Sequence, residues 1–548
     1  MRAGAVCRII SGLLTKGEGY RNVTIDFASR QVREFKAKHP LPIGVLTTTT
    51  GKSVDVRNTV SENSDVFVND YFLDNQFHVD SERIPERVVH AQGSGAFGYF
   101  IVTHDVSQYT SADVFNRIGK KTPVFGRFST AVSNKGTPEL ARDSKALSVK
   151  MYTNEGNLDF LCSSLPVYDY RDPNDFTHIV HAGRQNPKTN LFDLTTLWDF
   201  ITLKPTILFP SLWRFSDYGL PYGYRKMDIF PIHAYELNNK QGERYLAKFN
   251  LRTEQGLDNL TTAEAQALSS QDPYYFTRDL YNAIANKNYP SWRLDMDIMT
   301  LEQASKVDYN PFDVNRLWKR GTYKTVVVGR YVFDRNPDNS FRDTEQSAFN
   351  PAHLVPGIPG PADLMFKSRR LSYRHAHENR LGSNSENIRI NLPVYRKTYT
   401  RDGSPPVKDN MNDVPNYYPN SFSGPVPTVD NRHPSEKLIV LDKTSVDLEP
   451  MADFYNHIIE NDAHRQRIAD NAAASLVTVD EKIVDRALKL LDLVDTDLGK
   501  RVTQSYNEQK KRADAAAKLD ARTRVQPIAQ CISAVQEGFL TPPKRKNC

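Results

Sequence analysis

The residues best suited to chemistry lie in the stretch 361–382 (PADLMFKSRRLSYRHAHENRLG), which predicts a helix. Arg369, Tyr373, His377 and Arg380 follow one another at intervals of three or four residues, so a helix places all four on one face. A phenol is mostly protonated at neutral pH, because its usual pKa is about 10, but a guanidinium group one turn away stabilises the phenolate. This face therefore predicts tyrosine-ligated haem, with Tyr373 as the metal ligand. A surface helix with a basic stripe and a packed tyrosine would share the pattern.

A second candidate group lies near residue 90. Arg87-Val88-Val89-His90 precedes AQGSGAFGYF, which predicts a histidine beside a small-residue loop that a flat ligand can approach closely. Residues 126–130 (GRFST) add the guanidinium of Arg127 and the hydroxyl of Ser129. Together, Arg87, Arg127 and Arg380 supply enough guanidinium groups to bind two propionate carboxylates. Structural salt bridges and an ordinary core histidine are the alternative interpretation of these residues.

The composition excludes several classes of protein. The chain has 548 residues, of which 39% are hydrophobic, so it can bury a large core. A net charge of +6 is small beside 71 basic and 65 acidic residues, and no nucleic-acid partner is predicted. No apolar run approaches the ~20 residues that span a bilayer, so no membrane partner is predicted either. The four cysteines form no CxxC pair or disulfide rhythm, which predicts a reducing compartment and no structural zinc: Cys7, Cys162, Cys531 and Cys548.

Alternation and helical periodicity predict the elements that must position these groups. Residues 1–67 are expected to form an N-terminal arm and residues 68–382 a β-rich domain. Residues 18–85 are polar and lack sustained periodicity, which predicts an extended arm rather than a folded unit. Within that domain, alternating or β-branched runs predict strands at 124–132, 146–153, 157–162, 243–252 and 292–300, with a helix at 262–270 among those inserted between them. Such strands predict an antiparallel barrel or sandwich. Residues 383–447 predict a long connection over the surface, and residues 448–548 an α-helical domain with a basic tail.

Several collinear blocks together resemble the monofunctional haem catalases of the short-subunit type, from about residue 68 to at least residue 435. They are RVVHAQGSGAFGYFIVTHD (87–105), RFSTAV (127–132), RDPNDF (171–176), DPYYFTRDLYNAIANKNYPSW (272–292), DRNPDNSFRDTEQSAFNPAHLVPGI (334–358), RRLSYRHAHENRLG (369–382) and PNYYPNSF (415–422). The resemblance implies an α+β, catalase-like fold, with an antiparallel β-barrel, an N-terminal arm, a wrapping connection and a C-terminal helical domain. It also implies a homotetramer.

The resemblance further implies that the protein is an oxidoreductase that dismutates hydrogen peroxide to water and oxygen with a haem, type b. His90 would be the distal acid and base, and Ser129 the hydroxyl that bonds this histidine. Tyr373 would be the proximal ligand, and Arg369 the cation that keeps its phenolate ionised. The other positions implied to bind the cofactor or line its pocket and channel are Arg87, Val89, Arg127, Phe128, Tyr168, Phe176, Phe349, His377 and Arg380.

The chain departs from the family pattern at several positions. Ser163 stands where the family has the asparagine that orients the peroxide, and Cys162 precedes it in place of a glycine. Serine keeps a donor but is shorter, so we expect it to hold the peroxide less well and to reduce the rate. Around Tyr373, two residues differ from the family pattern, Leu371 and His375. In addition, Arg370 and Arg374 are expected to add charge close to the cofactor, where an unpaired buried cation is costly.

These departures leave three functions open. One is an active haem catalase, and another is a catalase-fold haem-binding protein with little or no dismutase activity that serves as a structural or regulatory partner of an active paralogue. Weak peroxidation of small alcohols or phenols is a third.

Bound NADP is doubtful, because Phe209, Tyr218 and Arg320 replace the residues that meet the dinucleotide in many animal catalases. The compatible positions are Ser216, Arg252 and Trp318.

The ends of the chain carry weak targeting signals. Residues 1–17 contain Arg2, Arg8 and Lys16 and no acidic residue, a pattern typical of a mitochondrial presequence or of an ordinary disordered terminus. The last residues, PPKRKNC, differ from the SKL-type peroxisomal ending. An intracellular location is expected, with peroxisome, cytoplasm and mitochondrion left open.

Overall fold

The computed structural model describes residues 26–60, 69–131, 134–406, 411–432 and 446–539, with side chains described as far as residue 518. The chain separates into two compact units. The first contains Met1–Pro166, Leu220–Phe312 and Trp318–Val440, and the second contains Val167–Gly219, Asp313–Leu317 and Leu441–Cys548. The division at residues 67, 382 and 447 stays a prediction. The two terminal targeting signals lie outside the described residues, so the localisation also stays a prediction.

Strands and helices follow one another in groups along the described chain. The strands are β1 (Gly93–Val102), β2 (Lys121–Thr130), β3 (Lys145–Thr153), β4 (Gly156–Ser163), β5 (Tyr235–Asn238), β6 (Arg244–Thr253), β7 (Ser291–Thr300) and β8 (Lys324–Arg335). The helices are α1 (Gln31–Lys38), α2 (Asp70–Ser81), α3 (Asp175–Ala182), α4 (Leu194–Leu203), α5 (Leu208–Phe215), α6 (Thr262–Gln271), α7 (Tyr275–Ala285), α8 (Leu301–Lys306), α9 (Leu364–Leu381), α10 (Glu449–Asp453), α11 (Asp462–Leu476), α12 (Glu481–Val494) and α13 (Thr496–Phe539). None of the described helices is long and apolar enough to cross a membrane.

The first unit is built on one curled antiparallel sheet. Its eight strands are ordered β4-β3-β2-β1-β8-β7-β6-β5. A segment before β5 links the two ends of this order, because Ser163 at the end of β4 pairs with Phe230 and the adjacent Ile229 pairs with Leu251 of β6. The predicted antiparallel barrel class is confirmed in the form of a curled half-barrel, and the five predicted strands correspond to β2, β3, β4, β6 and β7.

Successive residues of these strands face opposite sides, and this alternation separates the core from the site. Phe128, Leu147 and Phe160 lie in the inner hydrophobic core. Their neighbours point to the outer face, where Phe125 and Leu161 belong to a second apolar cluster. Side chains for chemistry can therefore lie on the outer face without disturbing the inner packing.

Two expectations for the first unit were wrong. The small-residue segment after His90 is the central strand β1, paired with β2 and β8, rather than a loop. Its glycines fit the tight spacing of the sheet, because a Cβ on Gly98 would lie 1.9 Å from the carbonyl oxygen of Val332.

The polar N-terminal region contains the helices α1 and α2 and is not wholly extended. Asn69 begins α2, since its side chain accepts from the amides of Tyr71 and Phe72.

The second unit is helical. Its helices α10 to α13 confirm the predicted helical region after residue 448, as far as Phe539. Buried Ile468, Leu476, Ala487 and Leu491 supply its apolar faces. The helices α3 to α5 of the same unit were not predicted, because their sequence is rich in aromatic and β-branched residues that also favour strands.

Candidate functional site

Helix α9 carries the first group of candidate residues. It begins after Asp363, whose carboxylate accepts from the amide of Phe366 at 2.7 Å. The predicted helix is confirmed, and Arg369 and Arg380 are buried on the face that also carries the half-buried Tyr373 and His377. One side of this helix therefore presents a phenol between two arginines to the interior of the first unit.

A relay of hydrogen bonds fixes the phenol. Arg369 donates to Oη of Tyr373 at 3.3 Å and to Nε2 of His233 at 2.7 Å. Because a guanidinium group only donates, Nε2 of His233 is the acceptor and its proton lies on Nδ1, 3.0 Å from Oδ2 of Asp363. The guanidinium is thus held in place at the phenol oxygen, to which it donates a charge-assisted hydrogen bond.

His233 and Asp363 were missed by sequence reasoning. Burial lowers the pKa of His233 despite the neighbouring Asp363, so this histidine is neutral at physiological pH. An aspartate just before an apolar helix is a helix-capping signal, which could have drawn attention to Asp363. No sequence signal marks His233, which lies 130 residues from Asp363.

The second group lies on the outer face of β1 to β4. His90, just before β1, places Nδ1 at 3.1 Å from Oγ of Ser129 on β2. Its backbone has a φ of 61°, which is strained for a residue with a side chain, and its amide donates to the carbonyl of Ala131 at 2.8 Å. Close approach of the strands is needed here, since a Cβ on Gly93 would lie 2.3 Å from the carbonyl oxygen of Phe128.

Burial and the charges around His90 keep its imidazole neutral. Burial lowers the pKa of His90 to about 3, with further lowering by the charges of Arg127, Arg369 and Arg87, while a backbone hydrogen bond at Thr130 acts in the opposite direction. Arg369 therefore lies near both the phenol of Tyr373 and the imidazole of His90, and we infer that these groups face one site. Tyr373 packs against the outer apolar cluster of the same sheet, which agrees with this conclusion.

The three arginines expected to bind propionates converge. Arg87 donates to the carbonyls of Thr344, Glu345 and Ser347, and Arg380 donates to two of the same carbonyls, those of Glu345 and Ser347. Arg127 donates to the carbonyl of Ala91 at 3.0 Å. The fourth group of the cluster is the carboxylate of Glu345. Burial alone would raise its pKa, but the neighbouring positive charges outweigh burial, so the pKa of Glu345 is lowered. These charges belong to Arg87, Lys135, Arg127 and Arg380.

This cluster fits a dianionic cofactor. Burial lowers the pKa of Arg87, and the like charges of Arg127 and Arg380 lower it further, so the three cations are not balanced by Glu345. Among the described residues, no group accepts a hydrogen bond from the buried Nε of Arg127. Two carboxylates would supply the missing negative charge and acceptors. Tyr373 and the arginine cluster together therefore fit haem.

Ser163 and Cys162 lie on opposite faces of β4. Ser163 shares the outer face with Ser129, because both residues pair with Ala146 of β3, which separates them by about 10 Å. Its hydroxyl accepts from the amide of Leu165 at 3.0 Å and keeps its own proton available for donation. Cys162 is buried in the inner core, where burial raises the pKa of its thiol. The cysteine therefore faces the inner core, whereas the serine lies on the same face as Ser129.

The other departures lie away from the cofactor side of α9. The expectation that Arg370 and Arg374 add charge close to the cofactor was wrong, because the structure places both on the exposed face of the helix. Arg374 pairs there with Glu378 at 3.0 Å. Leu371 is 74% exposed and His375 is also exposed. These four side chains therefore lie on the exposed side of α9, away from the face that buries Arg369 and Arg380.

The remaining candidates occupy both units. Phe349 is buried in the outer apolar cluster, and its carbonyl oxygen accepts from Nε2 of His377 at 2.7 Å. Burial lowers the pKa of His377 to about 4. Val89 is half-buried beside His90, and Phe128 faces the inner core. In the second unit, Tyr170 contacts both rings of the predicted channel, with centroids 4.9 Å from Tyr168 and 5.8 Å from Phe176.

Comparisons with known proteins show which family the chain is similar to. Residues 47–424 match the family model described as Catalase. The catalase of Drosophila melanogaster is 40% identical over 496 residues, which cover 88% of this chain and 98% of that protein. The catalase of Methanosarcina barkeri is 39% identical over 492 residues, with 88% and 97% covered. The structure of catalase A from Saccharomyces cerevisiae matches with a TM-score of 0.79 at 32% identity, over 84% of this chain and 99% of that one.

The curled sheet, the tyrosine on the inner face of α9 and the converging arginines fit a haem-binding protein. The matches span most of the chain, and the chain belongs to the catalase family. The family supports a haem cofactor and the dismutation of hydrogen peroxide to water and oxygen.

Proposed function

We propose that this chain dismutates hydrogen peroxide at a haem held between His90 and Tyr373. The observation that carries the proposal is the single site formed by His90 with Ser129, Tyr373 with Arg369, and the three converging arginines. A purified sample should show a Soret band and release oxygen from peroxide. Absence of the Soret band would contradict haem binding, and a Soret band without oxygen release would favour the haem-binding protein without dismutase activity.

The residues have separate tasks in this reaction. A bound haem supplies a ferric ion that binds peroxide and exchanges electrons with it. His90 would take a proton from one peroxide oxygen and return it to the other, which prepares the protonated oxygen to leave as water. Ser129 fixes the plane of the imidazole through the bond to Nδ1, which leaves Nε2 for the proton transfer. Arg369 holds the phenol oxygen of Tyr373 in place with a charge-assisted hydrogen bond.

Haem b is the proposed type of cofactor. The arginine cluster fits two free propionates, and the sequence contains no Cys-x-x-Cys-His motif for covalent attachment. We propose no role for NADP, because its compatible positions are engaged within the protein. Arg252 pairs with Asp228 at 2.9 Å, and Nε1 of Trp318 donates to the carbonyl of Pro311 at 2.8 Å. The hydroxyl of Ser216 donates to the carbonyl of Trp213 at 2.5 Å.

Ser163→Asn is expected to raise the rate of oxygen release. The longer amide reaches further from the outer face of β4 than the hydroxyl and can donate to a peroxide beside His90. One preorganised donor is worth on the order of 10²–10³-fold where it acts on the transition state. We expect a gain of up to about that size in kcat/KM, measured by initial oxygen evolution at equal haem content.

The control for this variant is Ser148→Asn. Ser148 lies on β3 and pairs with Arg127 of β2 and Leu161 of β4, two residues along the strands from the pairs that contain Ser129 and Ser163. The variant therefore introduces the same amide on the same face of the sheet, but at another position. We expect no gain from it. An unchanged or lower rate for Ser163→Asn would mean that another group orients the peroxide.

A homotetramer is proposed from apolar side chains that remain exposed in the single chain. In the N-terminal arm, Leu41, Ile43 and Val45 are 75–78% exposed. In the connection, Phe422, Val426 and Val429 are 69–86% exposed. Apolar surface of this extent is typical of subunit interfaces, and other copies of the chain would cover it.

The paired variant Leu41→Asp with Ile43→Asp is expected to lower the molar mass of the assembly. Two charges in a buried apolar interface would be left unpaired, which opposes association. Light scattering after size exclusion should show a tetramer for the parent and smaller species for the variant. Leu493→Asp, at an equally exposed leucine of α12, should leave the mass unchanged. A monomeric parent protein would contradict the proposal.

A further inference from the structure

A buried carboxylate on β4 joins the sheet to the segment before α9. Asp159 is fully buried and accepts from Nζ of Lys150 at 2.9 and 2.8 Å. Its Oδ2 also accepts from Nδ1 of His353 at 2.7 Å and from the amide of Asn350 at 2.9 Å. We call these four residues the Asp159 cluster. Burying such a pair of charges is costly unless further hydrogen bonds stabilise it. Apart from Lys150, the donors to the Asp159 carboxylate come from residues 350–353.

The opposite charges explain why the cluster is stable in the ionised form. Burial alone would raise the pKa of Asp159, but Lys150 and His353 bring it below its usual value. The backbone adds a further link, because the amide of Asp159 donates to the carbonyl of His353 at 3.0 Å. The segment that contains residues 350–353 is thus bonded to β4 through both main chain and side chains.

The cluster reaches the helix that carries Tyr373 through Phe349. The carbonyl oxygen of Phe349 accepts from Nε2 of His377 on α9. The ammonium of Lys150 lies 5.3 Å from the centroid of the Phe349 ring, and this ring stacks on Phe125 with centroids 6.4 Å apart. Tyr373 packs against the same apolar cluster. A shift of residues 349–353 would therefore displace His377 and the ring beside Tyr373.

We propose that the Asp159 cluster positions Tyr373 for the metal, with His353 as a positioning residue that acts through Phe349 and His377. The proposal rests on the proposed function, in which Tyr373 binds haem iron. His353 is the accessible member, since its side chain is 28% exposed, whereas Lys150 and Asp159 are completely buried. Removing the imidazole takes one donor from Oδ2 without opening the core.

The test compares His353→Ala with His353→Asn in the full-length protein loaded with haem. Alanine removes the side-chain donor to Asp159, whereas asparagine keeps a donor near it. For His353→Ala we expect haem transfer to an excess of a haem acceptor to be about 10- to 100-fold faster, with a shift of the optical charge-transfer band of the tyrosine-ligated haem. The amide of Asn350 should exchange hydrogen faster. His353→Asn should remain close to the parent protein in all three measurements.

A matched control separates positioning from general destabilisation. Asp279→Asn breaks the half-buried pair between Arg225 and Asp279 on α7, in the same unit but outside the site. It should lower the melting temperature without changing the rate of haem loss or the band. The proposal is overturned if His353→Ala leaves both haem readouts unchanged, or if Asp279→Asn changes them equally. A parent protein without a tyrosine-ligated band would overturn the proposed function itself, and this inference with it.

Discussion

His90→Ala is expected to lower the rate of hydrogen peroxide dismutation on the order of 10²–10⁴-fold while haem stays bound. The variant removes the group that moves a proton between the peroxide oxygens, and this is the usual size of a general acid–base contribution. Haem binding should persist, because Tyr373 and the arginine cluster are untouched. The measurement is oxygen evolution at equal haem content, with the Soret band as the check on loading.

The pH dependence tests the same residue. Burial and the surrounding arginines lower the pKa of His90 to about 3 from a usual 6.5. The imidazole is therefore neutral, and able to accept a proton, at every pH more than about one unit above that value. The rate should stay level from neutrality down to about pH 4 as far as His90 determines it. An acid limb near the usual histidine value, lost in His90→Ala, would contradict this account.

Ser129→Ala is the matched control for the role of the ring. It removes the hydroxyl at 3.1 Å from Nδ1 but keeps the imidazole and its acceptor nitrogen. The ring is then less firmly oriented, so a smaller loss of rate than in His90→Ala is expected. An equal loss in both variants would mean that orientation, rather than proton transfer, limits the reaction.

Local sequence patterns were sufficient to predict the strands and helices whose apolar residues repeat with a clear period. Alternation predicted β2, β3, β4, β6 and β7, because each strand has one face in the inner core and the other face outward. The spacing of Arg369, Tyr373, His377 and Arg380 predicted the inner face of α9 for the same reason. Glycine-rich β1 lacked this signal, since its small side chains hide the alternation while the neighbouring strands pack closely against it.

Long-range contacts could not be predicted from the sequence. Glu345 meets Arg87 across 258 residues, and His233 meets Asp363 across 130, so no local spacing reveals either pair. Whether a departure from the family pattern affects the site also depends on which side of its strand or helix the residue faces. Cys162 proved to be part of the inner core and Arg374 part of an exposed surface, whereas Ser163 lies on the site face. A family pattern shows which residues differ, and only the packing shows which of them matter.

Tyr373→Phe is expected to abolish tight haem binding. It removes the phenol oxygen that Arg369 holds at 3.3 Å, while the ring and its apolar contacts remain. The arginine cluster alone would still attract the propionates, so weak, rapidly lost haem is expected rather than none. The measurements are haem content after gel filtration and the optical band of the tyrosine-ligated ferric haem.

Arg369→Leu tests how the phenol is prepared for the metal. The variant leaves the phenol but removes the guanidinium that bonds both Tyr373 and His233. Loss of a group that orients and charges a metal ligand typically costs about 10- to 100-fold, so haem loss should be faster by that factor and the band weaker. Arg374→Leu, on the exposed face of the same helix, should behave as the parent protein. If Tyr373→Phe retained haem as firmly as the parent, another side chain would be the ligand, and the relay from Asp363 to Arg369 would have a purely structural role.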